Sequence, residues 1–302
     1  MKQLVILSGK GGTGKTSVAA AFADLLASDR SSYRTVLADA DVDASNLELV
    51  LSPEKRSSED FRGGPIAEIN ADLCTACGIC EQVCRFDAVF ENDEGVFWVD
   101  PIACDGCAAC VYQCPVEAIT MHDQVVGAWF QSQSRYGPLF HAELKPAQEN
   151  SGKLVTLVKQ RARLFAMDEG YDLVLVDGPP GIGCPVISAV SGADLALIVT
   201  EPTASGVHDM RRVLETTNHF DVPSLVCINK ADLYPQGAAE IEAFCQERDI
   251  PVVGQIPFDT AVTEAMVQGR PVTAYSRNPV SEEMRRVWER VVSHLDELDS
   301  GR

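Results

Sequence analysis

Short apolar runs alternate with longer amphipathic stretches along most of the chain. Residues 2–7 are apolar enough for a buried parallel strand, and residues 15–27 have helical periodicity and good helix formers. Further strand-like runs are 35–38, "YDLVLVD", "ADLALIVTE" and "VPSLVCIN", and helix-like stretches are 153–167, 205–218 and 237–247. Strands that alternate with helices predict a doubly wound α/β fold with a mostly parallel sheet. Ligands of such sheets collect at the carboxyl ends of the strands.

The α/β pattern is interrupted in the first half of the chain, between about residues 62 and 123. Eight of the eleven cysteines lie there, and the α/β pattern resumes near Val125. The polar stretch before the interruption, "SPEKRSSEDFRGG", predicts a surface loop that leads into an insertion. We therefore expect a discontinuous α/β domain at 1–61 and 124–302, with a small inserted domain at 62–123.

Near the carboxyl end, the apolar positions of residues 281–298 fall on one helical face. They are Met284, Val287, Trp288, Val291, Val292, Leu295 and Leu298. A membrane-binding helix would need a basic polar face, whereas this one carries acidic and basic residues. The pattern favours a helix packed on the sheet.

Composition narrows the range of partners. The 302 residues carry a net charge of -19, which opposes binding to nucleic acid or stable binding to an anionic membrane. The chain contains no apolar run long enough to span a bilayer and no signal-peptide pattern, so we expect a soluble cytoplasmic protein. Cysteines in that compartment favour metal or redox chemistry over disulfides.

A phosphate-binding loop follows the first predicted strand. Gly9, Gly14, Lys15 and Thr16 fit G-x-x-x-x-G-K-[ST], between a strand and a helix as the motif requires. Backbone N–H groups of such a loop surround phosphate oxygens, Lys15 neutralises the β- and γ-phosphates, and Thr16 binds Mg²⁺. The alternative is a glycine-rich turn without a ligand. The predicted nucleotide-binding residues are Gly9, Gly11, Gly12, Thr13, Gly14, Lys15, Thr16 and Ser17.

The stretch "KGGTGKT" resembles the deviant Walker A loop of the MinD/ParA/Mrp class of P-loop ATPases, which includes the nitrogenase iron protein. The resemblance implies that Lys10 reaches across a dimer interface to the partner's nucleotide. A cation supplied in trans helps phosphoryl transfer. The other interpretation of Lys10 is a solvated loop lysine. The resemblance implies a homodimer, or a heterodimer with a related chain, joined across the nucleotide face.

Two acidic segments resemble the switch regions of the same ATPases. In "LADADVDASN", similar to switch I, Asp41 would orient or deprotonate the attacking water and Asp39 would support the Mg²⁺ shell. Asp43 also suits a helix cap. In "LVLVDGPPG", similar to Walker B and switch II, Asp177 would hold Mg²⁺ through water and the Gly181 N–H would sense the γ-phosphate.

The expected base site lies at the end of another strand, in "INKAD". By resemblance to the same class, Asn229, beside Lys230, would contact adenine. N-K-x-D is also the guanine-reading motif of GTPases, so Asp232 leaves GTP open. The segment "IPFD", with Pro257 and Asp259, resembles the one that closes over adenine, which favours ATP.

The clustered cysteines form two runs with the same spacing, offset by 30 residues. Each run is C-x₂-C-x₂-C-x₃-C, the pattern of bacterial two-cluster ferredoxins, in which the fourth cysteine ligates the other cluster. Paired zinc sites are the alternative, but the duplicated spacing favours two [4Fe-4S] clusters in a small α+β ferredoxin-like domain. One cluster would take Cys74, Cys77, Cys80 and Cys114, and the other Cys104, Cys107, Cys110 and Cys84.

Cys184 lies seven residues after Asp177. The nitrogenase iron protein places a cluster-binding cysteine at the same interval from its switch II aspartate, so the resemblance suggests a metal contact at the dimer axis. No second cysteine matches that relative. The plain alternative is a small residue packed beside switch II.

Together these features predict an ATP-hydrolysing iron–sulfur protein that uses ATP, Mg²⁺ and two [4Fe-4S] clusters. Nucleotide-driven dimer switching would be coupled to electron transfer, or to iron–sulfur or metal-cofactor assembly, on a redox or metal-cofactor protein. One alternative is a MinD/ParA-like positioning ATPase with the clusters as a redox sensor, and another is a plain electron carrier. The C-terminal C-x-x-C of Mrp-type cluster carriers is missing, since Cys227 and Cys245 are isolated.

Overall fold

The computed structural model of the chain describes residues 1–28, 33–146 and 151–300. These residues divide into two compact units. The larger unit comprises the described parts of Met1–Ser58, Trp129–Glu143 and Ser151–Arg302. The smaller unit comprises those of Glu59–Ala128 and Leu144–Asn150, and it contains both cysteine runs.

Strands and helices alternate along the larger unit, as the apolar pattern predicts. The strands of the chain are β1 Lys2–Ser8, β2 Thr35–Asp39, β3 Glu54–Ile69, β4 Val89–Glu91, β5 Phe97–Val99, β6 Ile119–Ser134, β7 Gly137–Leu144, β8 Leu173–Pro180, β9 Leu195–Thr200, β10 Ser224–Asn229 and β11 Val252–Ile256. The helices are α1 Lys15–Ser28, α2 Leu47–Leu51, α3 Ile79–Val83, α4 Ala109–Gln113, α5 Ser151–Asp168, α6 Cys184–Val190, α7 Ala204–His219, α8 Pro235–Gln246, α9 Thr260–Val267, α10 Val272–Tyr275 and α11 Pro279–Ser300.

Nine of the described strands form one sheet in the order β11-β10-β9-β1-β8-β2-β7-β6-β3. β1 pairs in parallel with β8 and β9, and β2 pairs in parallel with β7 and β8. The central strands β1, β2 and β9 are buried along their whole length, as expected of a parallel sheet whose faces are both covered. The prediction of a doubly wound, mostly parallel α/β sheet is confirmed.

The long C-terminal helix packs against the core of this unit. Trp288 of α11 contacts Phe22 of α1, with ring centroids 4.8 Å apart. Five of the seven apolar positions on the predicted face are fully buried, and Val292 and Leu298 pack against them partly buried. This confirms the predicted packed helix. None of the helices in the described ranges combines the length and apolar character needed to cross a bilayer.

The prediction of a surface loop at "SPEKRSSEDFRGG" is wrong. Most of this stretch belongs to β3, which stands last in the strand order, next to β6. Eleven of the sixteen residues of β3 are exposed, so no apolar alternation marks it as a strand. Its backbone pairs with β6 instead, and charged residues such as those of β3 protect an edge strand from pairing with other chains.

Candidate nucleotide site and cysteine centres

The loop between β1 and α1 forms one wall of a cavity of about 700 Å³. Gly12 and Gly14 adopt positive φ values of 80° and 92°, which glycine accepts without strain. A Cβ on Gly14 would also collide with the side-chain amide of Asn229. Most predicted nucleotide-binding residues line this cavity, namely Gly11, Gly12, Thr13, Gly14, Lys15, Thr16, Ser17, Asp41, Asn229, Lys230, Pro257 and Asp259.

Six predicted residues do not line the cavity, namely Gly9, Gly181, Lys10, Asp39, Asp177 and Asp232. Glycine is required at position 9 by packing, because a Cβ there would overlap Asp209 of α7. The four charged residues are held by partners of opposite charge or by hydrogen bonds, mostly from backbone groups. The contacts of these charged residues hold the loops around the cavity in place.

Lys15 is buried among carboxylates below the phosphate loop. Its Nζ lies 2.7 Å from Oδ1 of Asp177 and 3.5 Å from Oδ2 of Asp41. Burial alone would lower the pKa of Lys15, but the charges of Asp177 and Asp41 outweigh it and raise the pKa. Lys15 therefore stays an ammonium group, held between two carboxylates at the wall of the cavity.

Asp39 organises the loop that leads from β2 to α2. Its carboxylate accepts hydrogen bonds from Ser45 Oγ at 2.7 Å and from the backbone N–H groups of Leu47 and Asp41 at 3.0 and 3.1 Å. Burial, together with the nearby Asp177 carboxylate, raises the pKa of Asp39 to about 7. These contacts give Asp39 a positioning role for Asp41.

Asp41 reaches the cavity from this loop. Burial raises the pKa of Asp41, and the nearby Lys15 acts in the opposite direction without cancelling the effect. A carboxylate with a raised pKa is a better proton acceptor. Gly181, from the loop after β8, donates its N–H to the carbonyl of Ser8, which joins the predicted switch II segment to the phosphate loop.

Lys10 is held within its own chain. Its Nζ lies 3.1 Å from Oε2 of Glu201 and 3.4 Å from the hydroxyls of Thr203 and Ser205. The same Glu201 pairs with Lys230, which also donates to the carbonyl of Gly12 at 3.0 Å. Burial alone would raise the pKa of Glu201, but the two lysines lower it overall.

The residues predicted to meet the base are held mostly by hydrogen bonds within the chain. Asn229 donates to the carbonyl of Thr13 at 2.7 Å. Asp232 accepts from the Phe258 N–H at 2.6 Å, and Asp259 caps α9 through the Ala261 N–H at 2.8 Å. Phe258 of "IPFD" lines the cavity together with three apolar residues that no sequence motif predicted there, Val262, Met266 and Met284. The helical spacing of Val262 and Met266 after "IPFD" was the available signal.

The smaller unit repeats its backbone with the same offset of 30 residues as its cysteines. Helix α3 at Ile79–Val83 corresponds to α4 at Ala109–Gln113. Left-handed backbone recurs at three matched pairs: Ala76 and Gly106, Gly78 and Ala108, and Asp87 and Glu117. Ala88 donates its N–H to Cys84 Sγ, and Ala118 to Cys114 Sγ, each at 3.3 Å.

Two cavities lie in this unit, and each is lined by one of the predicted cysteine sets. The first, a narrow space of about 10 Å³, is lined by Cys74, Cys77, Cys80 and Cys114. The second, of about 20 Å³, is lined by Cys84, Cys104, Cys107 and Cys110. In the described residues, no three His, Cys, Asp or Glu side chains are grouped closely enough to hold a single metal ion.

Cys184 is exposed at the first position of α6 and does not line the nucleotide cavity, although its neighbour Pro185 does. The other end of α6 is capped by a buried lysine. Lys159 of α5 donates to the carbonyls of Ser188 at 2.7 Å, Ala189 at 2.5 Å and Ser191 at 2.9 Å.

Curated relatives cover nearly the whole chain. An uncharacterized protein of Methanocaldococcus jannaschii is 33% identical over 96% of this chain and 96% of its own length. An iron-sulfur cluster carrier protein of Pyrococcus horikoshii is 24% identical over 98% of this chain and 87% of its own length.

Solved structures share the fold. The septum site-determining protein MinD of Pyrococcus horikoshii, complexed with Mg-ADP, is 18% identical with a TM-score of 0.56, covering 96% of this chain and 95% of its own. A chain of the MinC:MinD cell division protein complex of Aquifex aeolicus is 21% identical to this chain, with a TM-score of 0.58. The match covers 97% of this chain and 96% of that one. The family model of the CobQ/CobB/MinD/ParA nucleotide binding domain matches residues 4–272. The chain therefore belongs to the CobQ/CobB/MinD/ParA nucleotide-binding family, which confirms the predicted P-loop ATPase.

Proposed function

We propose that the chain is a cytoplasmic iron–sulfur ATPase in which ATP-driven pairing of two subunits controls electron transfer, or metal-cofactor assembly, on a partner protein. The observation that carries this proposal is the convergence of eight cysteines on two matched cavities in a chain with a complete phosphate loop. A positioning ATPase has no need of two thiolate-lined cavities, and a plain electron carrier has no need of the nucleotide site.

The donor set of the nucleotide site fits ATP with Mg²⁺. Asp177 Oδ2 is buried and has no hydrogen-bond partner among the described residues. A buried carboxylate oxygen without a partner is costly unless a ligand satisfies it, and Mg²⁺ prefers oxygen ligands, including water. Thr16 and Asp177 would hold the ion, with Asp39 in support. The apolar wall that includes Phe258 and Met266 offers a surface for a purine base.

Hydrolysis would use the charged groups around the phosphate loop. Lys15 neutralises phosphate charge within its own subunit, and Asp41 orients the attacking water and accepts its proton. Lys10 would leave Glu201 and contact the partner subunit's nucleotide as the two nucleotide faces meet. Developing charge on the transferred phosphoryl group would favour that exchange of partners.

The cysteine-rich unit fits two [4Fe-4S] clusters, as a ferredoxin-like domain within residues 62–123. Cys74, Cys77, Cys80 and Cys114 would hold one cluster, and Cys104, Cys107, Cys110 and Cys84 the other. Such clusters supply one-electron chemistry when bound. The N–H groups of Ala88 and Ala118 point at the sulfurs of Cys84 and Cys114, and hydrogen bonds of this kind stabilise thiolate charge.

Cys184 offers a link between the two activities. It is exposed at the start of α6. The loop just before it contains Gly181, whose N–H donates to the carbonyl of Ser8, next to the phosphate loop. We propose that nucleotide exchange moves this sulfur near the dimer axis, where it contacts a metal or cluster. Alkylation of Cys184 by iodoacetamide should slow when a non-hydrolysable ATP analogue is bound. An unchanged rate would remove Cys184 from the coupling.

The competing function is a MinD-like positioning ATPase with the clusters as a redox sensor. The observation in its favour is the septum site-determining protein MinD of Bacillus subtilis, which is 26% identical over 96% of this chain and 88% of its own length. The C-terminal helix α11 carries acidic as well as basic residues on its exposed face, which disfavours membrane attachment through that helix.

The test is a comparison of nucleotide states in anaerobically purified protein. We expect about eight iron and eight sulfide per chain, Mg²⁺-dependent ATP hydrolysis, and a change in the cluster EPR spectrum or reduction potential between ADP and a non-hydrolysable ATP analogue. Lys15→Ala should keep the iron and lose the nucleotide response. Zinc without acid-labile sulfide, or spectra identical in every nucleotide state, would contradict the coupling.

A further inference from the structure

The hairpin of β4 and β5 exposes two large aromatic side chains. Phe90 and Trp98 are directly opposite each other in the antiparallel pair, with ring centroids 5.4 Å apart. They are 43% and 47% exposed, whereas Trp129 and Trp288 are each only 5% exposed. An adjacent pair of exposed aromatic rings is the composition found at the centre of protein–protein interfaces.

The other face of the same hairpin packs on the cysteines. Val89 and Phe97 are buried in a small core that includes Cys80, and the partly buried Val99, Cys104 and Cys110 pack against this core. Val89 and Val99 also line the cavity of the second cysteine set. Because successive residues of a strand point to opposite faces, a protein bound to Phe90 and Trp98 would be separated from these cysteines by one layer of strands.

The turn of the hairpin adds a concentrated negative charge. Glu91, Asp93 and Glu94 are all exposed, and no lysine or arginine occurs between Phe86 and Asp100. The turn has a defined shape, because the side-chain oxygen of Asn92 accepts from the N–H groups of Glu94 and Val96 at 3.0 and 2.9 Å. Glu91 lies on the strand face opposite to Phe90, and Asp93 and Glu94 lie in the turn, so the three carboxylates form an acidic rim at the end of the hairpin that carries the aromatic pair.

We propose that Phe90, Trp98 and this acidic rim form the docking surface for an electron-transfer protein whose redox centre lies beneath an apolar face ringed by lysines or arginines. The proposal rests on the proposed function, since it names the chemistry of the partner. Opposite charges would steer the encounter, and the aromatic rings would fill the apolar centre. A second copy of this chain would place like charges against each other, and an anionic membrane would repel the rim.

The probe is mitochondrial cytochrome c, a basic haem protein with lysines around its haem edge, and acidic cytochrome b5 is the control probe. Chain reduced by dithionite and freed of excess reductant is mixed with ferric cytochrome. One electron would pass from a reduced cluster, which becomes oxidised, to the haem iron, which becomes ferrous. The reaction is followed by stopped-flow absorbance at several ionic strengths. A zero-length carbodiimide cross-linker, applied to the oxidised complex, provides a second readout that needs no electron transfer.

Glu91→Gln/Asp93→Asn/Glu94→Gln should slow association with cytochrome c about 10-fold at low salt and remove most of the salt dependence. The matched control Glu240→Gln/Glu289→Gln/Glu297→Gln removes the same charge from exposed positions of the larger unit and should leave the rate unchanged. Phe90→Ser/Trp98→Ser should weaken the complex about 10-fold while keeping its iron content, because both side chains are exposed.

Carbodiimide cross-links should concentrate on Glu91, Asp93 and Glu94. Cross-links spread over the other carboxylates, equal effects of the two charge variants, or equal rates with both cytochromes would overturn the docking surface. Self-association of the wild-type chain that Phe90→Ser/Trp98→Ser abolishes would assign the pair to a second copy and overturn it too. Iron and sulfide analysis of the same preparation shows separately whether the proposed function itself has failed.

Discussion

The ammonium group of Lys10 lies 3.1 Å from the carboxylate of Glu201 in the same chain. Glu201 also pairs with Lys230, so one carboxylate holds two cations beside the phosphate loop. Lys10 is about one third exposed in this arrangement. Glu201 would keep Lys230 as its cation if Lys10 moved away, so Lys10 can exchange Glu201 for a partner subunit's phosphate without leaving the carboxylate unpaired.

Lys10→Ala should therefore separate hydrolysis from nucleotide binding. We expect ATP hydrolysis to fall by about 10³-fold, the lower range for a charge supplied across an interface, while the dissociation constant for ATP changes little. Lys15→Ala should weaken binding as well, because it removes the buried cation between Asp177 and Asp41. Fluorescent-nucleotide titration and phosphate release measure the two effects.

Lys145→Ala, at an exposed lysine of the smaller unit, is the control and should behave as wild type. Equal loss of binding from Lys10→Ala and Lys15→Ala would contradict the separate roles. So would a strictly monomeric wild-type protein with full activity.

The two cysteine-lined cavities predict which pairs of cysteine substitutions act on the same cluster. Cys84→Ser/Cys104→Ser changes two cysteines of one cavity, and it should leave about four iron atoms per chain. Cys74→Ser/Cys104→Ser changes one cysteine of each cavity, and it should lose nearly all of the iron. Anaerobic iron and sulfide analysis distinguishes them. Loss of nearly all of the iron from both variants would mean that each sequence run holds its own cluster.

The contact between Asp232 and Phe258 predicts a preference for ATP. Asp232 already accepts the Phe258 N–H at 2.6 Å, so its carboxylate is engaged in holding the "IPFD" segment rather than free to read guanine. We expect ATP to bind at least about 10-fold more tightly than GTP, a difference of about 1.4 kcal/mol. Competition between the two unlabelled nucleotides and a fluorescent analogue measures it, and tighter binding of GTP would assign Asp232 to the base.

Lys159 predicts a distinct pH dependence of stability. Burial lowers the pKa of Lys159 from 10.5 to about 8, so between those values the unfolded chain binds the proton more tightly than the folded protein. The free energy of unfolding should therefore rise with pH in this range, by up to about 3 kcal/mol. Below pH 8 both states are protonated and this contribution is constant.

Lys159→Met isolates that contribution, because it keeps the size of the side chain and cannot titrate. Urea titrations at pH 7.5 to 10.5 measure the unfolding free energy of wild type and of Lys159→Met. The value for wild type minus that for the variant should increase as the pH rises. A flat difference would mean that Lys159 keeps its ordinary pKa in the folded protein. The methionine also removes the cap on α6. This loss lowers the unfolding free energy of the variant by the same amount at every pH, so it does not change how the difference depends on pH.

The sequence predicted the elements whose signal lies in side-chain burial. The elements β1, α1 and α11 agree with their predicted ranges within two residues. Each has a regular pattern of apolar residues, because those residues are buried in the core. β3 was missed because it is stabilised by backbone pairing along an edge, and its polar side chains resemble those of a loop.

The candidate site was predictable where chemistry requires a fixed spacing. The phosphate loop and the cysteine sets lie at the cavities that their motifs imply. The pairing of Lys10 and Lys230 on Glu201 was not predictable, since three residues distant in sequence meet only in the fold. The positioning role of Asp39 was hidden for a different reason: its donors, the Ser45 hydroxyl and the N–H at the start of α2, follow no sequence pattern.

The strand order has a consequence for how such a chain can arise. β3 enters the cysteine-rich unit and β6 leaves it, and these two strands are neighbours in the sheet. A tight turn that joined β3 directly to β6 could replace the residues between them without changing the order of the other strands in the sheet. An ancestral ATPase could therefore have gained eight thiolates as a single cassette, and a descendant could lose them by one deletion and still fold.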